Sequence, residues 1–594
     1  MKLSDYVVSF IENLGVDAVF LLSGGGSIHL CDSFGKSKKI KYFACHHEQA
    51  AAMATEAYAR VSGKIGVSLV TSGPGGTNAI TGVAGSWMDS VPHLVLSGQV
   101  HSSQTIAHTG TRQIGVQEIN IIDMIMPITK YAVIITDPQT IRYHLEKAVY
   151  LATTGRFGPV WLDIPANVQL AQIDEHSLKV FTPEEHTLPI SQNTMSSIAQ
   201  LLKNAQRPLI HVGQGIRHAH AEEQLLNIAE TYNIPFVTAR NANDIFPSKH
   251  PLNIGRPGTW AHRAANFAVQ NADVYIAVGT RLSMSTTGYN GKDFARNAIK
   301  IMVDIDESEL NKPTLSIDYK IHADAKVFLD ELDNHLQGTS LRTAEWINQC
   351  NAWKEKYPVV LPEFREQKEF VNVYHFVDVL SDLCTKDDIV VTDMGLAFQV
   401  THQAFKVKQG QRMFTNSGLA AMGWGLPAAV GACIGGHLRR TICMNGDGGI
   451  MLNLQELQTI SHNKLPVKII LYNNAGYLTI RQTQEYGFEG RYVGSHEQSG
   501  VDFPDFELLA KSFHLPYTKI TTHTELVEKL QSVLDQPGPS FCEVMVDQNQ
   551  LQHHRALSKR KEDGTMEPRP FEDLFPFIDR KEFKENMIAE RKGV

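Results

Sequence analysis

Along the chain, short apolar runs close on Gly or Pro and alternate with longer segments of mixed polarity. "DAVFLLSGGG", "IGVSLVTSGPGG", "PHLVLSGQV" and "GPVWLDIP" read as buried strands ending in turns. A polar, Pro-bearing stretch, "DEHSLKVFTPEEHTLPISQN", follows them, and the rhythm restarts in "RPLIHVGQGI", "IPFVTAR", "ADVYIAVGTR" and "IKIMVDID". A second break near "DNHLQGTSLRTAEW" precedes "DIVVTDMG", "TICMNGDGG", "VKIILYNN" and "SFCEVMV". Continuous apolar runs spaced by helix-length segments are the pattern of parallel strands covered by helices on both faces. The expectation is an α/β protein of three doubly wound parallel-sheet domains, over residues 1–180, 190–340 and 365–550. A tail over 551–594 mixes charge with Phe and Pro, and is either a surface extension packed by its aromatics or a lid.

At 594 residues the chain exceeds one ordinary core, and its 43% apolar and 20% charged fractions match folded globular proteins. No apolar run is long enough to span a bilayer, and "MKLSDYVVSFIENLGV" is too polar for a secretory signal and reads as an amphipathic helix. Seven scattered cysteines without CxxC spacing argue against disulfides and zinc, and fit a cytoplasmic protein. A net charge of -8 without a basic stripe excludes nucleic acid as a natural partner.

Candidate chemistry begins at "CMNGDGGIMLN". Asp447 follows a buried strand, and Gly448 and Gly449 let other backbone approach it closely, which suits a hard cation carrying phosphate. Alone, such a turn is more often structural. A second strand, "VKIILYNN", ends in paired Asn, and one βαβ crossover would bring Asp447 and Asn474 to the carboxyl ends of neighbouring strands. With the Gly476 carbonyl they make three oxygen ligands for magnesium.

A GDG followed 27 positions later by the second Asn of NN resembles the thiamine diphosphate signature. "FACHHEQAAAMATEAYAR", "TSGPGGTNAITGVAGSWMDSVPHLVLSGQV" and "NSGLAAMGWGLPAAVGA" extend the resemblance to the acetolactate synthase family over nearly the whole chain. The resemblance implies that Glu48 is the carboxylate that activates the cofactor's aminopyrimidine; read alone, it is a helix-opening Glu favoured by the helix dipole. It also implies that Met422 is the apolar wedge that bends the cofactor, although a Met beside glycines is otherwise core filler. Gln117 aligns with an active-site glutamine, Pro74 and Asn78 fall among cofactor neighbours, and Gly395 and Tyr477 lie in the diphosphate region. Gly25 in "LLSGGGS" either offers an amide to an oxyanion or is a plain turn. His46, His47, His101 and His108 carry no such placement.

The same resemblance assigns the middle domain to FAD in a non-redox role. The residues concerned are Gly213, Gly215, Arg256, Gly258, Gly279, Arg281, Asp304 and Asp324. It further implies a homodimer or homotetramer with the active site at a subunit contact.

Three departures stand out. Ser285 occupies the place of an Arg that grips the second keto acid, Thr483 that of an acceptor-pocket Trp, and Leu396-Ala397 that of a Gln-His pair near the diphosphate. Losing a planar cation and a large ring weakens recognition of an anionic acceptor. The expected enzyme therefore decarboxylates pyruvate and transfers the acetyl unit to a ketone or a nucleotide-activated keto-deoxysugar. The alternatives are an acetolactate synthase condensing two pyruvates, a pyruvate oxidase or non-ligating decarboxylase, and an inactive scaffold relative.

Overall fold

The computed structural model describes residues 1–106, 109–184, 188–561, 563 and 565–588. The chain forms two compact units, one of Met1–Glu185, Asp387–Phe398 and Thr415–Gln548, the other of His186–Lys386, Gln399–Phe414 and Asn549–Val594.

In the first unit, an N-terminal parallel sheet runs Lys41–Ala44, Ala18–Leu21, Gly66–Val70, His93–Gln99, Pro159–Pro165, Tyr131–Ile134 from edge to edge. The chain leaves Ala18–Leu21 towards one side for the next strand and returns on the other, which opens a crevice at the carboxyl ends of Ala18–Leu21 and Gly66–Val70. The C-terminal strands of this unit run Ile389–Thr392, Thr441–Gly446, Val467–Asn473, Ser540–Met545, Tyr517–Ile520, again all parallel. Their central members are apolar and buried on both faces, as the runs in the sequence require.

Three helices in this unit approach at backbone distance. Glu48–Ser62 lies against Pro74–Met88 and against Gly425–Gly435, and glycine is obligatory at the crossings: a Cβ at Gly82 would run into Ala52, and one at Gly431 into the carbonyl oxygen of Ala54. Glu56, fully buried midway along the first helix, accepts hydrogen bonds from Arg60 Nε at 3.0 Å, Trp424 Nε1 at 3.0 Å and Asn416 Nδ2 at 3.0 Å. Arg60 also pairs with Asp89 at 2.8 Å, and Asp89 accepts from the Ser417 amide at 2.9 Å. Burial pushes the Glu56 carboxyl up while Arg60 opposes the shift.

The second unit holds a parallel sheet in the order Tyr319–His322, Ile299–Asp304, Val274–Val278, Pro208–Val212, Phe236–Thr238, Asn253–Gly255. Its reversal of strand order falls between Val274–Val278 and Pro208–Val212. The tail belongs to this unit's core. Asn266 Nδ2 donates to Phe571 O at 2.8 Å, Trp353 Nε1 to Asn586 Oδ1 at 2.8 Å, and Phe571 is buried among Phe294 and Tyr275. Among the described residues no helix is long and apolar enough to cross a membrane.

Replacing Arg60 by Met removes the guanidinium that bridges buried Glu56 and Asp89. The first unit is expected to lose about 3–5 kcal/mol of stability, read as a lower urea midpoint, with the second unit's transition unmoved.

Candidate active site

The N-terminal half of the site is built on the crevice of the first sheet. His47 caps the helix Glu48–Ser62 by accepting the Gln49 amide at 3.1 Å, which fixes Glu48 as the first helical residue. Glu48 is buried, and its Oε2 accepts from Asn78 Nδ2 at 3.0 Å. Pro74 opens the helix that carries Asn78 one turn later, and Gly75, lacking a side chain, leaves room for Thr71. Gly73 has φ +59°, and a Cβ there would meet the backbone oxygen of Gln117. Gln117, at φ +61°, is exposed on the loop that packs against Gly73. Neighbouring Glu118 is buried and closes this loop by accepting the amides of Ile106 at 2.8 Å and Ile114 at 3.2 Å. Gly25 is exposed in a short 3-10 turn on the same rim, where the adjacent Gly26 amide donates to Thr71 Oγ1 at 3.1 Å. The structure thus gathers Glu48, Pro74, Asn78, Gln117 and Gly25 at one sheet end. Of the histidines, His47 and His101 cap helical turns, His46 donates its amide to Glu456, and His108 lies outside the described residues.

The other half follows the strands Thr441–Gly446 and Val467–Asn473. Asp447 Oδ1 accepts the Gly448 amide at 2.7 Å, while Oδ2 accepts those of Asn474 at 2.9 Å and Gly476 at 3.1 Å. Burial pushes the Asp447 carboxyl up to about 6 against the pull of these amides. The Asn474 side-chain oxygen beside it is buried and has no hydrogen-bond partner. Such an atom is costly unless a ligand engages it. Gly476, at φ +146°, has its carbonyl within reach of the Leu478 amide at 3.1 Å. Gly448 must be glycine, because the Tyr477 ring occupies the place of a Cβ. Gly449 is pressed against Asp393, Gly395 is open at φ +71°, and Met422 is 39% exposed. Among the described residues no three His, Cys, Asp or Glu side chains form a metal cluster, so a cation here would rely on amide and backbone oxygens together with Asp447.

In the second unit, the glycines meet where the strand order reverses. A Cβ on Gly213 would collide with the Gly279 carbonyl oxygen and one on Gly215 with the Gly279 Cα, and Gly279 itself has φ +60°. Arg256 is buried, with Nε and Nη2 lacking partners. Burial, with Arg240 nearby, lowers its guanidinium to about 9. Gly258, at φ +142°, leaves space for the Ser285 carbonyl. The Arg281 carbonyl accepts from Lys312, Asp304 Oδ1 accepts the Asp306 amide at 3.0 Å, and Asp324 Oδ1 caps the helix Ala325–Leu336.

Residues 1–124 match the N-terminal TPP binding domain of thiamine pyrophosphate enzymes, 195–332 their central domain, and 393–544 their C-terminal TPP binding domain. The chain is 33% identical over 545 residues to an acetolactate synthase large subunit of Cyanidium caldarium, covering 89% of this chain and 91% of that one. It is 32% identical over 557 residues to the Lactococcus lactis large subunit, covering 92% and 93%. Against acetolactate synthase 2, chloroplastic, of Zea mays, identity is 30% over 564 residues, covering 92% and 85%. The chain belongs to the acetolactate synthase-like thiamine pyrophosphate enzymes.

Membership makes it a transferase that forms carbon–carbon bonds with thiamine pyrophosphate, the compound also called thiamine diphosphate. The residues present fit that cofactor: an orphaned amide oxygen beside a buried acid on one side, and a buried acid held by an Asn on the other. The enzyme's departures are also visible. Leu396 and Ala397 are buried apolar residues. Ser285 sits on the short helix Met284–Thr287 with its hydroxyl 2.9 Å from that of Ser283, and exposed Thr483 bonds back to its own helix through Thr479 O at 2.9 Å. The Glu56–Arg60–Asp89 network and the buried Asp393 were not singled out in the sequence. Arg60 and Glu56 stand one helical turn apart in an otherwise Ala-rich helix, which is the signal that would have found them.

For Asn474→Ala, the Kd for thiamine pyrophosphate with magnesium should rise about 10–100-fold with the fold intact, measured by equilibrium dialysis across a magnesium series.

Proposed function

We propose that the chain is a carboligase that decarboxylates pyruvate and delivers the acetyl unit to a second pyruvate, in the manner the name acetolactate synthase describes. The relatives' names and their coverage of nearly the whole chain support pyruvate as acceptor. The observation that carries the carboligase itself is the buried Glu48, held at one oxygen by Asn78. Bound thiamine pyrophosphate supplies a nucleophilic carbon and an electron sink. Through its other oxygen Glu48 would hold a proton against a ring nitrogen of that cofactor, and Asn78 keeps the carboxyl oriented. Asp447, Asn474 and the Gly476 carbonyl would hold magnesium and through it the diphosphate, and Met422 would support the cofactor. Gln117 would orient the substrate carbonyl, and the amide at Gly25 would stabilise an oxyanion.

Arg256 and the glycine crossing at Gly213, Gly215 and Gly279 form the cradle for FAD, whose polar groups would satisfy the orphaned guanidinium nitrogens. Arg281, Asp304, Asp324 and Gly258 would contribute to the same FAD site. Arg256→Met is expected to purify without yellow colour and to lose flavin, measured by absorbance after denaturation.

The functional unit in this reading is at least a homodimer, with the Glu48 half meeting a partner's Asp447 half. Exposed apolar side chains in the first unit support such a contact: Val116 is 86% exposed, Val493 75% and Tyr486 66%.

A second reading rests on Ser285 and Thr483. With a hydroxyl at each place and neither a cation nor a ring, a ketone or a nucleotide-activated keto-deoxysugar is the acceptor that fits. Incubation with pyruvate alone, and with pyruvate plus a cyclic ketone, separates the two. Efficient acetolactate from pyruvate alone supports the first reading, and ligation only with added ketone supports the second. Aldehyde as sole product, or flavin bleaching by pyruvate without oxygen, would reject both. Glu48→Gln should keep the cofactor bound and slow exchange of its C2 proton about 10²–10⁴-fold, followed by NMR.

A further inference from the structure

Asp393 is wholly buried and has no part in the chemistry assigned above. It follows the strand Ile389–Thr392, whose neighbour Thr441–Gly446 leads into the Asp447 turn, and its amide donates to Met444 O at 2.8 Å. Its carboxylate accepts the Met394 amide at 2.8 Å and the Gly423 amide at 3.0 Å and 3.1 Å, and the amides of Trp424 and Gly425 bond to it as well. The amides of Gly423, Trp424 and Gly425 come directly after Met422. The Met422 segment turns sharply, with Ala420 at φ +59° and Gly423 at φ +80°, and is held from elsewhere by Asn453 Nδ2 on Gly423 O at 2.8 Å and by Asn416 Oδ1 on the Ala420 amide at 3.0 Å. On its other side, Asp393 Oδ2 is so close to Gly449 that a Cβ there would overlap it. One carboxylate therefore touches both the Met422 segment and the GDG turn. Capping the helix Gly425–Gly435 accounts for the amides of Trp424 and Gly425 but not for the contact with Gly449.

We propose that Asp393 is a positioning residue: it fixes Met422 relative to the Asp447 turn, and so sets the spacing between the wedge and the diphosphate anchor. The proposal rests on the thiamine pyrophosphate reading of the site. Asp393→Asn keeps the shape and places an N–H2 against amide donors.

In the full chain without cofactor, amide hydrogen exchange over 418–428 should quicken about 10-fold, while peptides of the N-terminal sheet stay unchanged. The Kd for thiamine pyrophosphate with magnesium should rise about 10-fold. Exchange of the bound cofactor's C2 proton should slow about 10-fold in Asp393→Asn and in Met422→Ala, and the double variant should be no slower than Met422→Ala. Unchanged protection over 418–428, or losses that multiply in the double variant, would overturn the proposal. So would faster exchange along 425–435 with C2 exchange untouched, the mark of a capping role alone. If Asp393→Asn fails to fold by circular dichroism, Asn453→Ala, which frees Gly423 from its other holder, takes its place with the same expected and overturning results. A wild-type protein that binds no thiamine pyrophosphate would sink the functional reading, whereas the exchange data without cofactor still judge the packing role.

Discussion

The first unit depends on how closely the helix Glu48–Ser62 can approach its neighbours. That helix is buried along almost its whole length, and small residues at the crossings bring backbone against backbone. Packing of this kind leaves no room for adjustment, so Glu56, buried midway along it, must be fully paired. Arg60, Trp424 and Asn416 do this, and two of those partners belong to the segment that carries Met422. The start of the same helix carries Glu48. A single element thus locates an acid at its end and, from its middle, the segment bearing the proposed wedge.

Each candidate residue cluster lies beyond the carboxyl ends of parallel strands. Backbone groups there have left the ladder and need partners, and glycine lets two such ends come within contact of each other. Gly26 with Thr71, and Gly213 with Gly279, are the same solution in two sheets. Asp447 and Asp393 solve it with a carboxylate that gathers amides from loops distant in sequence.

Much of this was legible in the chain. Every quoted apolar run is a strand, because the sheet interiors are buried on both faces and demand unbroken apolar sequence. Several strands that went unread, among them Lys41–Ala44, Tyr131–Ile134, Asn253–Gly255, Tyr319–His322 and Tyr517–Ile520, are sheet edges, and most carry half-exposed residues that dilute the signal. At the site, the spacing of Asp447 and Asn474 was readable because one crossover fixes it. Glu56 and Asn416 meet across 360 positions, a relation no local pattern encodes. Asp393 did carry a local sign, an acid closing an apolar run two places before Gly395, the same sign that drew attention to Asp447. The acceptor was the least legible element. Ser285 and Thr483 say which side chains are gone, and a lost cation describes what is no longer gripped rather than what takes its place; the relatives' names point instead to pyruvate.

The last stretch of chain completes the second unit from inside. Phe571 fills its core, and Asn586 bonds to Trp353 and Asn271, residues made more than 200 positions earlier. During synthesis, that core cannot be completed until Phe571 and Asn586 have emerged, long after the strands they cover.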